Sequence, residues 1–253
     1  LAGRGPGGIG SVERVRPDET SARASEAPTA ATEGVRSALQ GLLESLPGRR
    51  GVHHALVHVE SGDGSFVWRG ATGPAAPGGP PLTPDTPVLM ASVTKLYTAA
   101  LALLLVEEGR LELDRAAGEY LPDRFIVGIH RRRGVDRSAE VTVRNLLAHA
   151  SGLPNYLEDA PKGGKSLATR IFAEGDRDFG EEDVLRALRS LPAHFEPQGP
   201  VPKRIRYSDT NYWLLGAIVE AITGSPLEEA FEERLLRPLG LRHSWLYGRS
   251  QPL

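Results

Sequence analysis

Val35, Leu39, Leu42, Leu43 and Leu46 recur at helical spacing and Pro47-Gly48 ends the run, so the pattern predicts a first helix beginning near Glu33. Two stretches of strand character follow, His54 to Glu60 and Ser65 to Arg69, with Gly62-Asp63-Gly64 between them as a hairpin signal. Residues 71–88 read as a Pro/Gly-rich loop. From Ser92 onward the pattern turns mostly helical, with helices predicted at about 92–108, 142–149, 181–190, 210–223 and 226–236. Ser225 and Glu228 form a capping box for the last of these, and Gly224 closes the one before it. A strand-like piece, His243 to Tyr247, ends the ordered region, and no internal repeat is visible.

The order is therefore helix, hairpin, long helical region. A two-stranded sheet is marginal by itself and leaves its edges unpaired, so the hairpin calls for further strands that these residues do not supply. Residues 1–32 are rich in Gly, Ala, Ser, Thr, Glu, Arg and Pro, with almost no large apolar side chains. Such a segment buries too little surface to offset its ordering entropy and is expected to be a disordered leader before a domain over 33–253.

With 40% apolar and 25% charged residues the chain reads as an ordinary globular protein. A net charge of −2 provides no field to steer nucleic acid or anionic lipid. The basic run His130-Arg131-Arg132-Arg133 is short and reads as a solvated turn. The absence of cysteine excludes disulfides, thiolate metal sites and a cysteine nucleophile. Leu96 to Val106 is the longest apolar run, broken by Thr98 and too short to span a bilayer, and is read as a buried core helix. Gly164-Lys165-Ser166 imitates the end of a phosphate-binding loop, but Asp159 stands where its first glycine belongs, so a flexible loop is expected. His53, His54 and His58 on a strand edge read as solvent-facing or packed rather than as metal ligands. No cofactor is implied, and no Gly-x-Ser-x-Gly elbow is present.

The candidate chemistry is Ser92-Val-Thr-Lys95. Chance gives roughly 0.25 such pairs in a chain of this composition, so the spacing alone is weak. One reading is a serine cap followed by a surface lysine. Against it, a cation is poorly placed at a helix N-terminus, and the helix that follows is apolar on every face, which turns Lys95 inward. In the other reading, half-burial beside the helix end lowers the lysine pKa, and its neutral amine reaches the hydroxyl one turn away as the base of a serine nucleophile.

Two later stretches bear on the choice: Val141-Thr-Val-Arg-Asn-Leu-Leu-Ala-His149-Ala-Ser-Gly152-Leu-Pro, a short capped helix ending in His149, and Tyr207-Ser-Asp209 at the mouth of another apolar helix. With the Thr86-Pro-Val lead-in, Gly109-Arg-Leu-Glu-Leu-Asp114, Glu119-Tyr-Leu-Pro122 and Leu236-Arg-Pro-Leu-Gly-Leu241, the chain resembles the serine β-lactamase and penicillin-binding hydrolases. The resembling branch contains class C β-lactamases, D-alanyl-D-alanine carboxypeptidases and related esterases, and the resemblance runs from about His54 to Tyr247. It implies an α+β fold with an antiparallel sheet lobe and a helical lobe. It also implies Ser92 as nucleophile, Lys95 as its proton acceptor or electrostatic partner, and Tyr207 as the proton shuttle to the leaving group. Asp209 stands where asparagine is commoner and is expected at the substrate, paired with Lys95 or capping its helix. Tyr156 is a candidate cleft residue, and His149 and Gly152 belong to a structural turn. The substrates implied are D-Ala-D-Ala-like peptides, β-lactams or small esters, without metal or cofactor, and the family setting is extracytoplasmic. The family's third motif, Lys/His-Thr/Ser-Gly, is not found after Tyr207, nor are its C-terminal strands and closing helix. The chain is thus expected to be a truncated member with impaired turnover, or a non-catalytic binding remnant of the same fold.

Overall fold

The computed structural model describes residues 30–174 and 180–248, and the chain divides after Leu89 into two compact units. In the first, β1 (Ala55–Glu60) and β2 (Val67–Thr72) pair antiparallel from Ala55↔Thr72 to Glu60↔Val67. The turn forms around Asp63, whose carboxylate accepts both the Ser61 and Ser65 hydroxyls and the Ser65 N–H. β2 begins and ends later than its side-chain pattern predicts, because continued pairing with β1 carries it through Gly70 and Ala71, residues of low strand preference. α1 (Ala30–Glu44) packs on β2, burying Leu43 against Trp68. A Cβ at Gly70 would lie 2.6 Å from both of those side chains, so any larger residue there would have to displace them. The helix starts at Ala30, which removes residues 30–32 from the expected leader; residues 1–29 lie outside the described residues.

The second unit is mostly helical: α2 (Thr94–Glu107), α3 (Asp123–Ile126), the minimal hairpin of β3 (Arg131–Arg132) and β4 (Val135–Asp136), α4 (Val143–Leu147), α5 (Leu167–Glu174), α6 (Glu181–Arg189), α7 (Asp209–Thr223) and α8 (Leu227–Phe231), which continues through one wide π turn over Glu232–Leu236. Its core is mostly aliphatic, with Phe125 and Phe231 among the leucines. Leu101 and Leu105 of α2, Leu146 of α4, Leu185 and Leu188 of α6, and Leu214, Leu215 and Ile218 of α7 are essentially inaccessible. Burying each such side chain stabilises the fold by about 1.5–3 kcal/mol before entropy is counted. α7 is the central element, packed by α2, α4 and α8.

Several expectations change. α2 is buried on one face, through Thr98, Leu101, Ala102 and Leu105, while Leu96 and Leu103 stand 70% and 50% exposed, so it is not a helix buried all round. The basic run forms the β3–β4 hairpin, with Arg133 and Gly134 at positive φ in its two-residue turn; His130, however, is fully buried with its Nε2 2.9 Å from the Phe195 carbonyl. Gly164-Lys165-Ser166 is a turn leading into α5, whose Thr169 N–H bonds the Ser166 hydroxyl. Ser225 caps nothing on α8: its hydroxyl contacts Thr223, and Glu220 takes the Leu227 N–H. His243 to Tyr247 is turn and coil rather than strand. Among the described residues no helix is long and apolar enough to cross a membrane.

Candidate active site

The site assembles from two helix N-termini and the turn between Leu147 and Tyr156. At the first, a 3₁₀ turn over Ala91–Val93 leads into α2, and Ala91 holds φ +45°, a left-handed conformation that a non-glycine residue adopts at a cost. This turn leaves Ser92 exposed and sets Lys95 one turn further on, its side chain only 18% exposed. Nζ of Lys95 lies 3.3 Å from Ser92 Oγ. At the second N-terminus, Ser208 precedes α7 and Asp209 is its first helical residue, where an anion is favoured.

The two ends meet through side chains. Lys95 Nζ donates to Asp209 Oδ1 at 2.6 Å, and the Tyr207 hydroxyl lies 2.8 Å from Ser92 Oγ and 3.3 Å from the same carboxylate oxygen. Nζ also stands 5.0 Å from the centre of the Tyr207 ring, within cation–π range. Ser92, Lys95, Tyr207 and Asp209 therefore form one hydrogen-bonded cluster. The ion pair reverses the expected charge tuning. Burial alone would push the Lys95 amine down, but hydrogen bonds and charge from Asp209 and Tyr207 outweigh it, and the net displacement is upward. Burial likewise pushes the Asp209 carboxyl up, and the Lys95, Asn155 and Tyr207 donors pull it below the ordinary carboxylate value. The resting pair is ionised at neutral pH.

The turn after α4 supports this cluster. The Thr142 hydroxyl and the Asn145 amide cap α4 reciprocally. The helix stops before His149, whose φ of +53° reverses the chain, whereas the spacing predicted a helix ending at that residue. His149 Nδ1 accepts the Ser208 N–H and the Asn211 side-chain N–H, at 3.2 and 3.0 Å, so its lone pair there is occupied and the ring proton sits on Nε2. Ser151 donates to Asn211 Oδ1 at 2.6 Å, which fixes the amide orientation. The imidazole lies against Tyr207 at 4.6 Å and Tyr212 at 5.1 Å, and burial and then the Lys95 charge hold its pKa below the ordinary value. Gly152 has φ +74°, and a Cβ there would sit 2.0 Å from the Phe195 carbonyl oxygen. Tyr156 packs against Trp213 and lines a cavity of about 460 Å³ with Asp159, Lys165, Leu167 and Leu191, a cavity that Ser92, Lys95 and Tyr207 do not line.

Asn155 escaped the sequence reading. It is buried, it donates to Asp209 Oδ2 at 3.0 Å, and nothing in its immediate neighbours marked it beyond its place after Leu153-Pro154. Among the described residues no three acidic or histidine side chains converge as a metal site would require.

An exposed serine flanked by lysine and tyrosine on the ends of two helices is the arrangement of a β-lactamase-type fold. The chain belongs to the Beta-lactamase family, whose model matches residues 39–252. It is 35% identical over 191 residues to esterase EstB of Burkholderia gladioli, covering 74% of this chain and 45% of that protein. It is 30% identical over 163 residues to a putative D-alanyl-D-alanine carboxypeptidase of Salmonella agona, covering 64% of this chain and 34% of the relative. Its structure resembles that of the D-amino acid amidase of Ochrobactrum anthropi with a TM-score of 0.66 and 26% identity, over 86% of this chain and 53% of the amidase. The chain thus spans between a third and about half of the length of these relatives, and the fold is the mixed α+β arrangement that the resemblance implied.

Proposed function

We propose that this protein is a serine hydrolase working through an acyl-enzyme, with Ser92 as nucleophile. The carrying observation is that Ser92 Oγ lies within hydrogen-bond reach of both Lys95 Nζ and the Tyr207 hydroxyl. Ser92 Oγ attacks the carbonyl carbon of an ester or amide, and its proton passes to Lys95 in the amine's neutral form, a minor population beside the resting ion pair with Asp209. Tyr207 gives its proton to the departing alkoxide or amine as the acyl–oxygen or acyl–nitrogen bond breaks. In the second half-reaction the Tyr207 phenolate removes a proton from water as its oxygen attacks the acyl carbon; the acyl–Oγ bond then breaks and Lys95 returns its proton to Ser92 Oγ.

Substrates of the kinds named among the relatives, small esters, D-amino acid amides and D-Ala-D-Ala-like peptides, fit this chemistry, as do β-lactams. His149, with its Nδ1 lone pair occupied, serves as support rather than base, Gly152 fits the chain past Phe195, and Tyr156 stands outside the reacting set. A second reading, a non-catalytic binding module, expects a folded protein whose Ser92 is never acylated, so acylation has to be measured apart from turnover. A fluorophosphonate probe should label the protein at Ser92 in a pH-dependent manner, and Ser92→Ala should abolish the label. A folded protein with no label, or equal labelling of the alanine variant, would overturn this reading in favour of the binding module.

A further inference from the structure

Asn155 sits where two networks join. It is 2% exposed, and its side-chain carbonyl accepts the Leu157 N–H at 3.1 Å, which fixes the amide so that Nδ2 points the other way. Nδ2 then donates to Asp209 Oδ2 at 3.0 Å and to Glu158 Oε2 at 3.2 Å. Its main chain is held independently: the N–H reaches Asp159 Oδ2 at 2.8 Å, and the carbonyl accepts the Asp159 N–H at 2.9 Å. Asp159 is itself gripped by His194 Nε2 at 2.7 Å and Arg206 Nη2 at 3.2 Å, and the Arg206 N–H bonds the His149 carbonyl.

The opposite oxygen of Asp209 is the one that receives Lys95 and the Tyr207 hydroxyl. A carboxylate turns readily about its last torsion, whose preferences are broad. Donors on both of its oxygens remove that freedom. We propose that Asn155 is a positioning residue that locks the Asp209 carboxylate edge-on, so that Oδ1 faces Lys95 and Tyr207 and the proton state of the Ser92 cluster is set from behind. The proposal rests on the acyl-transfer reading of Ser92, Lys95 and Tyr207. The charged and titratable groups facing Asp209 are Lys95 from α2, Tyr207 beside it, Tyr156 from the segment after Pro154, and His149 from the turn after α4, with Glu158 on the far side of the Asn155 amide. Asn155 does more than hold its loop only if Asp209 responds to the loss of the amide donor.

Asn155→Leu keeps the side chain's shape and deletes the donor together with the acceptor of the Leu157 N–H, while the main-chain bonds to Asp159 do not need the amide; Asn155→Ala is the second variant. In protein carrying ¹³Cγ-aspartate, with the Asp209 signal assigned by Asp209→Asn, the Asp209 midpoint should rise by about one pH unit in either variant. In the unsubstituted protein the Asn155 side-chain amide signal should follow the Asp209 titration, a readout that requires no substitution. An Asp209 midpoint that stays put in a folded variant, or an Asn155 amide indifferent to Asp209, overturns the proposal. A purely structural role for Asn155 would leave the Asp209 midpoint in place in both variants. Absence of labelling in the unsubstituted protein would sink the hydrolase reading and leave the Asp209 titration to judge Asn155.

Discussion

Replacing Asp209 with asparagine tests the electrostatics of the cluster directly. The substitution preserves shape and removes one negative charge from 2.6 Å beside Lys95, in a pair whose side chains are 18% and 15% exposed. At an effective dielectric of about 20, opposite unit charges 4 Å apart attract by about 4 kcal/mol, and half of that is a fair allowance for the water that still reaches the pair. About 2 kcal/mol corresponds to roughly a thirty-fold change in the population of neutral amine. With the carboxylate gone, burial becomes the leading influence on Lys95, so its titration should move downward. The chain has four lysines, Lys95, Lys162, Lys165 and Lys203, so ¹³Cε-lysine spectra resolve Lys95 without crowding. The expected outcome is a Lys95 midpoint well below that of the unsubstituted protein, with fluorophosphonate labelling at neutral pH rising if the neutral amine takes the Ser92 proton. A Lys95 midpoint that is unchanged or higher in Asp209→Asn would refute the claim that this ion pair sets the charge of the lysine.

Gly152→Ala should lower stability by about 2 kcal/mol or more, since the Cβ would meet the Phe195 carbonyl oxygen at 2.0 Å in a left-handed conformation; an unchanged urea midpoint would count against the geometry of this turn. His149→Phe keeps the ring but strips the acceptor from the Ser208 and Asn211 N–H groups, and should cost about 1–3 kcal/mol for each group left unpaired, again read from urea unfolding. Asp159 and Asp209 both titrate below the ordinary carboxylate value of 3.8 when folded, Asp159 because the Asn155 N–H, His194 and Arg206 outweigh its burial. Their stabilising contribution is complete above that value and disappears as pH falls through the folded ones. The urea midpoint should therefore drop steeply below about pH 4, and Asp159→Asn should flatten that drop; a curve of equal slope would contradict it.

Helical periodicity made the leucine-rich framework legible, because α2 and α7 carry enough apolar positions to override any local ambiguity. Gly224 at φ +74° and the Thr142–Asn145 cap placed two helix ends where their chemistry requires them. α5 was hidden because its apolar spacing is short and follows a glycine pair that reads as loop. At the site, Ser92, Lys95 and Tyr207 were visible through their motifs. Asp209 as a partner of Lys95 was one of the alternatives offered, but the sign of the Lys95 displacement was not legible, since it is set by the distance between residues 114 positions apart. The Asn155 contact to Asp209 spans 54 positions and was invisible for the same reason. Sequence patterns report what a residue does within its own element; tertiary pairing decides its charge.

The segment leading into Tyr207 is tied down at its two ends, by Gln198 to Ala150 and Asn145 at one and by Arg204 over the Phe195 ring and Arg206 at the other, with an exposed stretch between. Arg206 bonds the His149 carbonyl and Ser208 bonds the His149 ring, whereas Val201 and Ile205 just upstream are 85% and 69% exposed. Lengthening, shortening or recolouring the stretch from Gly199 to Lys203 therefore leaves the tyrosine in place. Such a stretch is a site where descendants of this gene could trade one set of acceptable guests for another while their chemistry stays intact, and where a laboratory library of inserted loops should be built first.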